Sequence, residues 1–238
     1  MNYAIIAAGE GSRLVEEGVA LPKPLVNLDG RPMIRRLIDI FLENNAETIS
    51  VIINEQMTQV REYLESIATE LPCDFRVVIK STPSSMHSFY EVSKIFPEGS
   101  KFILTTVDTI FRPEDFARYS DAFEKAEPDV DGMMGVTTFI DDEKPLYIET
   151  APDSDKIIGY KDQPFAGVKY ISAGIYGLKT NALAVLEDCF TNGVSRMRNY
   201  QRALVSAGLN LKAFDLGKVI DVDHAGDIVT ARQFLGIE

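Results

Sequence analysis

Residues 3–14, Tyr-Ala-Ile-Ile-Ala-Ala-Gly-Glu-Gly-Ser-Arg-Leu, and residues 22–25, Pro-Lys-Pro-Leu, decide how this chain is read. Tyr3 to Ala8 is a short apolar run, which predicts a strand buried on both faces. It ends in Gly9 and Gly11, where the backbone can take positive φ and approach a ligand without a Cβ in the way. Arg13 follows at once, and Lys23 stands between Pro22 and Pro24. A buried strand that opens into a glycine loop with two fixed cations is suited to holding phosphate.

Two phosphate-binding patterns are excluded. A dinucleotide fingerprint needs a third glycine where Leu14 stands, and a helix opening directly from the loop, which Pro22 and Pro24 cut short. A P-loop needs Gly-Lys-Ser/Thr, which is absent. What remains, Ala-Ala-Gly-x-Gly-x-Arg-Leu followed by Pro-Lys-Pro-Leu, resembles the sugar-1-phosphate nucleotidylyltransferases, which make nucleoside-diphosphate sugars. The resemblance implies a Rossmann-like three-layer α/β/α fold with a mostly parallel mixed sheet, the nucleotide-diphospho-sugar transferase fold. It also implies one nucleotidyltransferase domain over 1–238, with a nucleotide-binding half (1–130), an acceptor-binding half (131–238) and no β-helix domain.

Composition narrows the partners. Lys and Arg total 24 against 36 Asp and Glu, and the net charge of −12 repels nucleic acid and anionic membranes. An acidic chain can still bind an anionic small molecule if it gathers its few cations at one place and adds a metal. Cys73 and Cys189 have no CxxC spacing and read as buried or incidental thiols. With no signal-peptide pattern or membrane-length apolar run, a cytoplasmic location is expected. The expected partners are an NTP and a phosphorylated small molecule, and a homo-oligomer is compatible with them.

Further along, Ile34, Leu37, Ile38, Phe41 and Leu42 recur at helical spacing after Pro32, and Asn44-Asn45 closes that helix. Strands are expected at Thr48 to Ile53, Phe75 to Ile79 and Lys101 to Val107. They alternate with helices at Thr58 to Leu71, Ser85 to Phe96 and from Pro113, which means a parallel sheet covered on both faces. The second half reads as a strand at Asp131 to Ile140, a hairpin of Pro145 to Thr150 with Lys156 to Lys161, and a strand at Lys169 to Leu178. Helices at Asn181 to Phe190 and Val194 to Ala207 follow. Strands at Leu211 to Asp215 and Val219 to Val222 precede the final helix.

Asp108 stands at the carboxyl end of its strand, the edge where open parallel sheets bind ligands. The resemblance implies a magnesium-binding Asp there, although Val107 stands where most relatives have Gly. Asp223, in Val219-Ile220-Asp221-Val222-Asp223, matches the family's second metal ligand, but it also suits an N-cap for the helix near Ala225. Asp221 shares its side of the strand and is the spare candidate. Two carboxylates completed by phosphate oxygens and water suit Mg²⁺. Ala7, Ala8 and Gly9 would border the base, with Gly11 and Ser12 on the triphosphate. Ser84 and Ser85 either touch the base or cap the helix that follows. Lys161 resembles the family's sugar-phosphate lysine, with its proline two residues late. Gly174, in Ser-Ala-Gly-Ile-Tyr, would let the sugar lie against the backbone. His87 belongs beside the base-site helix, and His224 reads as exposed.

No Ser–His–Asp triad is in evidence, and a phosphorylated acceptor needs none, being mostly dianionic at neutral pH. The expected reaction is in-line attack of a sugar-1-phosphate oxygen on the α-phosphorus of an NTP, with Arg13 and Lys23 neutralising charge. Two alternatives stand beside it: cytidylyl transfer to phosphocholine or another small phosphoester, suggested by Ser81 to Tyr90, and a non-catalytic nucleotide- or sugar-sensing module. For a quaternary ammonium, Tyr147, Tyr160, Tyr170 and Tyr176 are the available rings.

Overall fold

The computed structural model describes residues 1–28, 30–139 and 144–237. The first half contains β1 (Asn2–Ile6), α1 (Ser12–Glu16), a 3-10 turn (Lys23–Leu25), β2 (Asn27–Leu28), β3 (Arg31–Pro32), α2 (Met33–Glu43), β4 (Thr48–Ile53) and α3 (Thr58–Ala68). It continues with β5 (Asp74–Ile79), α4 (Ser85–Ser93), β6 (Phe102–Thr106), β7 (Thr109–Ile110) and α5 (Pro113–Glu124). The second half comprises β8 (Gly132–Thr137), β9 (Tyr147–Thr150), β10 (Ile157–Lys161), β11 (Tyr170–Leu178), α6 (Asn181–Thr191), α7 (Met197–Ser206), β12 (Leu211–Asp215), β13 (Ile220–Asp221) and α8 (Ala225–Phe234).

Strands β5, β4, β1 and β6 lie side by side, all parallel. β11 runs antiparallel to β6 and continues the sheet to β8 on its other edge, with β9 alongside its first residues. The alternation within β1 explains the layers. Tyr3 and Ile5 face a core shared with α2, α3, α5 and α8, whereas Ala4 and Ile6 face one shared with α4, α6 and α7. Tyr3 anchors the first core, its ring stacked on Phe41 at 4.4 Å and its hydroxyl donating to the Asn44 carbonyl at 2.8 Å. The expected Asn44-Asn45 stop is real: Asn44 Nδ2 bonds the Ile40 carbonyl, and Asn45 turns the chain at φ +57°.

Several boundaries move. α3 ends at Ala68 and α4 at Ser93, a turn or less before the apolar pattern does. α7 opens at Met197, because Arg196 has φ +69° and is not helical. The expected strand from Asp131 ends at Thr137, and Ile140 lies outside the described residues. Among the described residues, no helix is long and apolar enough to cross a membrane.

Glycine sets the spacing where α5 packs on β8 and β11. A Cβ on Gly177 would lie 2.9 Å from Phe123 Cγ and from the Tyr119 hydroxyl, which donates to the Met133 carbonyl. Gly177→Ala is therefore expected to destabilise the fold by about 1–3 kcal/mol through overpacking, read as a lower urea midpoint at unchanged slope.

Candidate active site

The glycine loop and the Pro-Lys-Pro turn are one unit. Gly11, at φ +62°, caps a helix of only five residues, and a Cβ there would meet Lys23 Cβ at 3.0 Å. The left-handed turn at Gly11 thus leaves room for the Lys23 stem. Lys23 itself is 8 % exposed, and its ammonium faces away from the core towards two acids.

Those acids are brought together by a ribbon outside the main sheet. Asp108 follows β6, and Asp223 follows β13, which pairs antiparallel with β7 through Ile220 opposite Ile110 and Asp221 opposite Thr109. The Val222 amide also donates to the Asp108 carbonyl at 3.1 Å. Lys23 Nζ consequently bonds Asp108 Oδ2 at 2.5 Å and Asp223 Oδ1 at 2.7 Å, while Arg13 reaches Asp223 Oδ2 at 3.3 Å. Burial by itself would push the Lys23 pKa down. The charge of Asp108 and hydrogen bonds to both carboxylates outweigh it and raise the pKa to about 12. Burial likewise pulls the Asp108 carboxyl upward, but the Lys23 charge and bonds from Lys23 and Thr106 hold it below the usual range. Lys23 and Asp108 are both charged at neutral pH.

Asp223 is not the helix cap considered from the sequence. His224 takes that position, and Asp227 Oδ2 accepts from the amides of Asp223 and His224, at 2.9 and 2.7 Å. The Asp223 carboxylate is left to face Lys23 and Arg13. Nor is His224 merely exposed: its Nδ1 meets Glu17 Oε1 at 2.6 Å, and Glu17 Oε2 accepts from the Ala225 amide. Glu17 thereby ties the end of α1 to the start of α8 beside the acids.

Two clefts meet at this cluster. The larger, about 660 Å³, is lined by Ala8, Gly9, Gly11, Ser12, Lys23, Ser84, Ser85 and Asp108 among the residues singled out from sequence. Ala7 lies beneath it in the core, and Arg13 stands beside it on Asp223. Ser84 occupies the N-cap of α4, with its hydroxyl bonded to His87 Nδ1 and to the Arg196 amide. The smaller cleft, about 350 Å³, contains Gly174, Asp221 and Asp223, and it shares Ser85, Thr106 and Asp108 with the first. Gly174 sits at φ +73° where the β11–β8 register shifts, and a Cβ there would strike Thr109 Oγ1. Lys161 lines neither cleft: its ammonium bonds Glu149 across the β9–β10 ladder at 3.0 Å and lies over the Phe165 ring.

Sequence reasoning missed Asn54 and Gln56 in the first cleft, and Arg196, Arg198 and Gln201 in the second. Asn54 had a usable signal, since it follows the carboxyl end of parallel strand β4, the same edge that marks Asp108. Its side chain donates to the Ala8 carbonyl and accepts from the Gln56 amide, bracing the loop.

This geometry coincides with a family match. Residues 3–141, from β1 past both Lys23 and Asp108, match the MobA-like NTP transferase domain. The chain belongs to this family. It has the nucleotide-diphospho-sugar transferase fold expected from sequence. It is 24 % identical over 237 residues to the bifunctional protein GlmU of Methanococcus maripaludis, a match covering 98 % of this chain and 54 % of that protein. The chain thus spans about half the length of the curated relatives it matches. Among solved structures, the inositol-1-phosphate CTP transferase from T. maritima superposes with a TM-score of 0.79 at 19 % identity, covering 100 % of this chain and 97 % of the other. A putative glucose-1-phosphate thymidylyltransferase from Bacillus anthracis gives 0.83 at 16 % identity, covering 98 % and 94 %.

Because the Gly11 turn accommodates Lys23, Gly11→Ala should lower nucleotidyl transfer at least about tenfold while costing only about 1–2 kcal/mol of backbone strain. Steady-state turnover beside a thermal melt separates the two effects.

Proposed function

We propose that this MobA-like NTP transferase moves a nucleoside monophosphate from an NTP to a hydroxyl-rich phosphoester of the sugar-1-phosphate class, releasing pyrophosphate. The observation that carries this reading is Lys23, a buried cation held between two acids where two clefts join. The larger cleft, lined by residues from 6 to 108, takes the nucleotide, and the smaller, lined mostly by residues from 146 onward, takes the acceptor. This assignment follows the expected halves 1–130 and 131–238, and Asp108 lines both clefts.

The acceptor's phosphate oxygen attacks the α-phosphorus as the bond to the β-phosphate oxygen breaks, and the pyrophosphate carries away the electron pair. No general base is required, because the attacking group is already an anion. The backbone amides of Gly9 to Ser12 and the Arg13 guanidinium hold the triphosphate. Lys23 donates to the α-phosphate oxygens and screens two anions that would otherwise repel each other. Arg196 supplies a further cation in the acceptor cleft.

Asp108 and Asp223 also fit Mg²⁺. Their carboxylates already converge on a single cation, and Mg²⁺ takes one or two carboxylates plus substrate phosphates rather than an all-protein cage. Among the described residues no cluster of three or more His, Cys, Asp or Glu offers such a cage. When bound there, Mg²⁺ supplies charge neutralisation to the triphosphate.

The second cleft favours a polyol over phosphocholine. Ser172, Tyr176, Arg196 and Gln201 line it, and among the described residues Tyr176 is its one aromatic ring. A quaternary ammonium is recognised by ring faces and by acids; of the acids lining this cleft, Asp108 and Asp223 already pair with Lys23, and Tyr147, Tyr160 and Tyr170 stand elsewhere. The structural relatives named above act, by their names, on inositol-1-phosphate and glucose-1-phosphate, both hydroxyl-rich phosphoesters. A net charge of −12 supports small-molecule partners rather than nucleic acid or membrane. The free thiols of Cys73 and Cys189 suit a reducing cytoplasm.

Lys23→Ala is expected to lower turnover by at least about a hundredfold with the fold intact by circular dichroism. Pyrophosphate release at a near-normal rate in that variant would remove Lys23 from the mechanism.

A further inference from the structure

Gln201, on α7, is a polar side chain only 2 % exposed, yet it lines the acceptor cleft. Its amide is oriented by a hydroxyl. Ser172, in the middle of β11, donates to Gln201 Oε1 at 3.1 Å. The Gln201 carbonyl oxygen can only accept, so this bond turns it toward β11. That carbonyl is occupied, and the two N–H donors of the amide have no acceptor among the described residues.

We propose that Gln201, turned by Ser172 so that its NH₂ group faces the cleft, reads a hydroxyl oxygen of the acceptor and determines its specificity. The inference rests on the assignment of the smaller cleft to the acceptor. A hydroxyl can accept from Gln201 and donate onward to a neighbour. A trimethylammonium group can do neither, and it would leave a buried donor unpaired. Sites built to bond a substrate hydroxyl reject the analogue that lacks it far more strongly than apolar pockets reject a missing methylene. The acceptor's phosphate has cations to meet it, Lys23 and Arg196, so the neutral amide serves the remainder of the molecule.

The test uses Gln201→Glu, which keeps the side-chain length and the oxygen that accepts from Ser172 but replaces the donor with an acceptor. Gln201→Leu, which removes both, serves as the second variant. Wild-type protein is assayed for pyrophosphate release with each of the four NTPs against glucose-1-phosphate, its monodeoxy analogues, inositol-1-phosphate and phosphocholine. With the best hydroxyl-bearing acceptor, both variants should lose at least about tenfold in kcat/KM, mainly through the acceptor KM, with the NTP KM within about twofold of wild type. One monodeoxy analogue should be poor with wild type and lose no further activity in the variants. A Glu variant equal to wild type would overturn the proposal, as would an equal loss on every deoxy analogue or a wild-type preference for phosphocholine. Wild-type protein that releases no pyrophosphate with any pair would instead overturn the proposed reaction itself.

Discussion

The Lys23 ammonium is shared between Asp108 and Asp223, and the elements around it can be understood as holding those three groups in register. A lysine this buried is stable as a cation only because two carboxylates face it, and the two carboxylates tolerate each other only because it lies between them. Each comes from a different part of the chain: the Pro-Lys-Pro turn after α1, the end of β6, and the end of β13. The β7–β13 ribbon is too short to matter as sheet, yet it aligns the two acid-bearing segments. Glu17 and Asp227 then fix the start of α8, which keeps Asp223 from serving as a cap. The chain gathers cations at one point despite its acidic surface, and it does so by pairing them before any substrate arrives.

What could be read in advance was local. The apolar run of β1, the apolar face of α2 and the Asn44-Asn45 stop each depend on residues a few positions apart, and each appears as expected. Asp108 was legible because the carboxyl end of a parallel strand is a position with a known use. Lys161 lies outside both clefts because the hairpin register decides which neighbour it meets, and here that neighbour is Glu149. Gln201 was invisible for a different reason. On an amphipathic helix such as α7, an inward polar residue looks like a boundary residue until the packing shows that its tip opens into a cleft. Arg196 lacked any local signal, since nothing in Ser195-Arg196-Met197 announces a positive φ.

The conformation of Arg196 links the two clefts. With φ +69° and ψ 138°, it occupies a region that non-glycine residues avoid at a cost of about 1–3 kcal/mol, and such strain persists only where surrounding contacts fix it. Those contacts are visible. The Arg196 amide donates to Ser84 Oγ at 3.2 Å, and its carbonyl accepts from Asn199 and Tyr200 to start α7. Ser84 is the N-cap of α4 and lines the larger cleft, whereas Arg196 lines the smaller one. One hydrogen bond therefore sets the start of the helix beside one cleft against the start of the helix beside the other. Bringing two bound anions into line depends on orientation more than on any acid or base. In the proposed reaction the Arg196–Ser84 bond would serve that orientation, since it ties the start of α7 beside one cleft to the start of α4 beside the other.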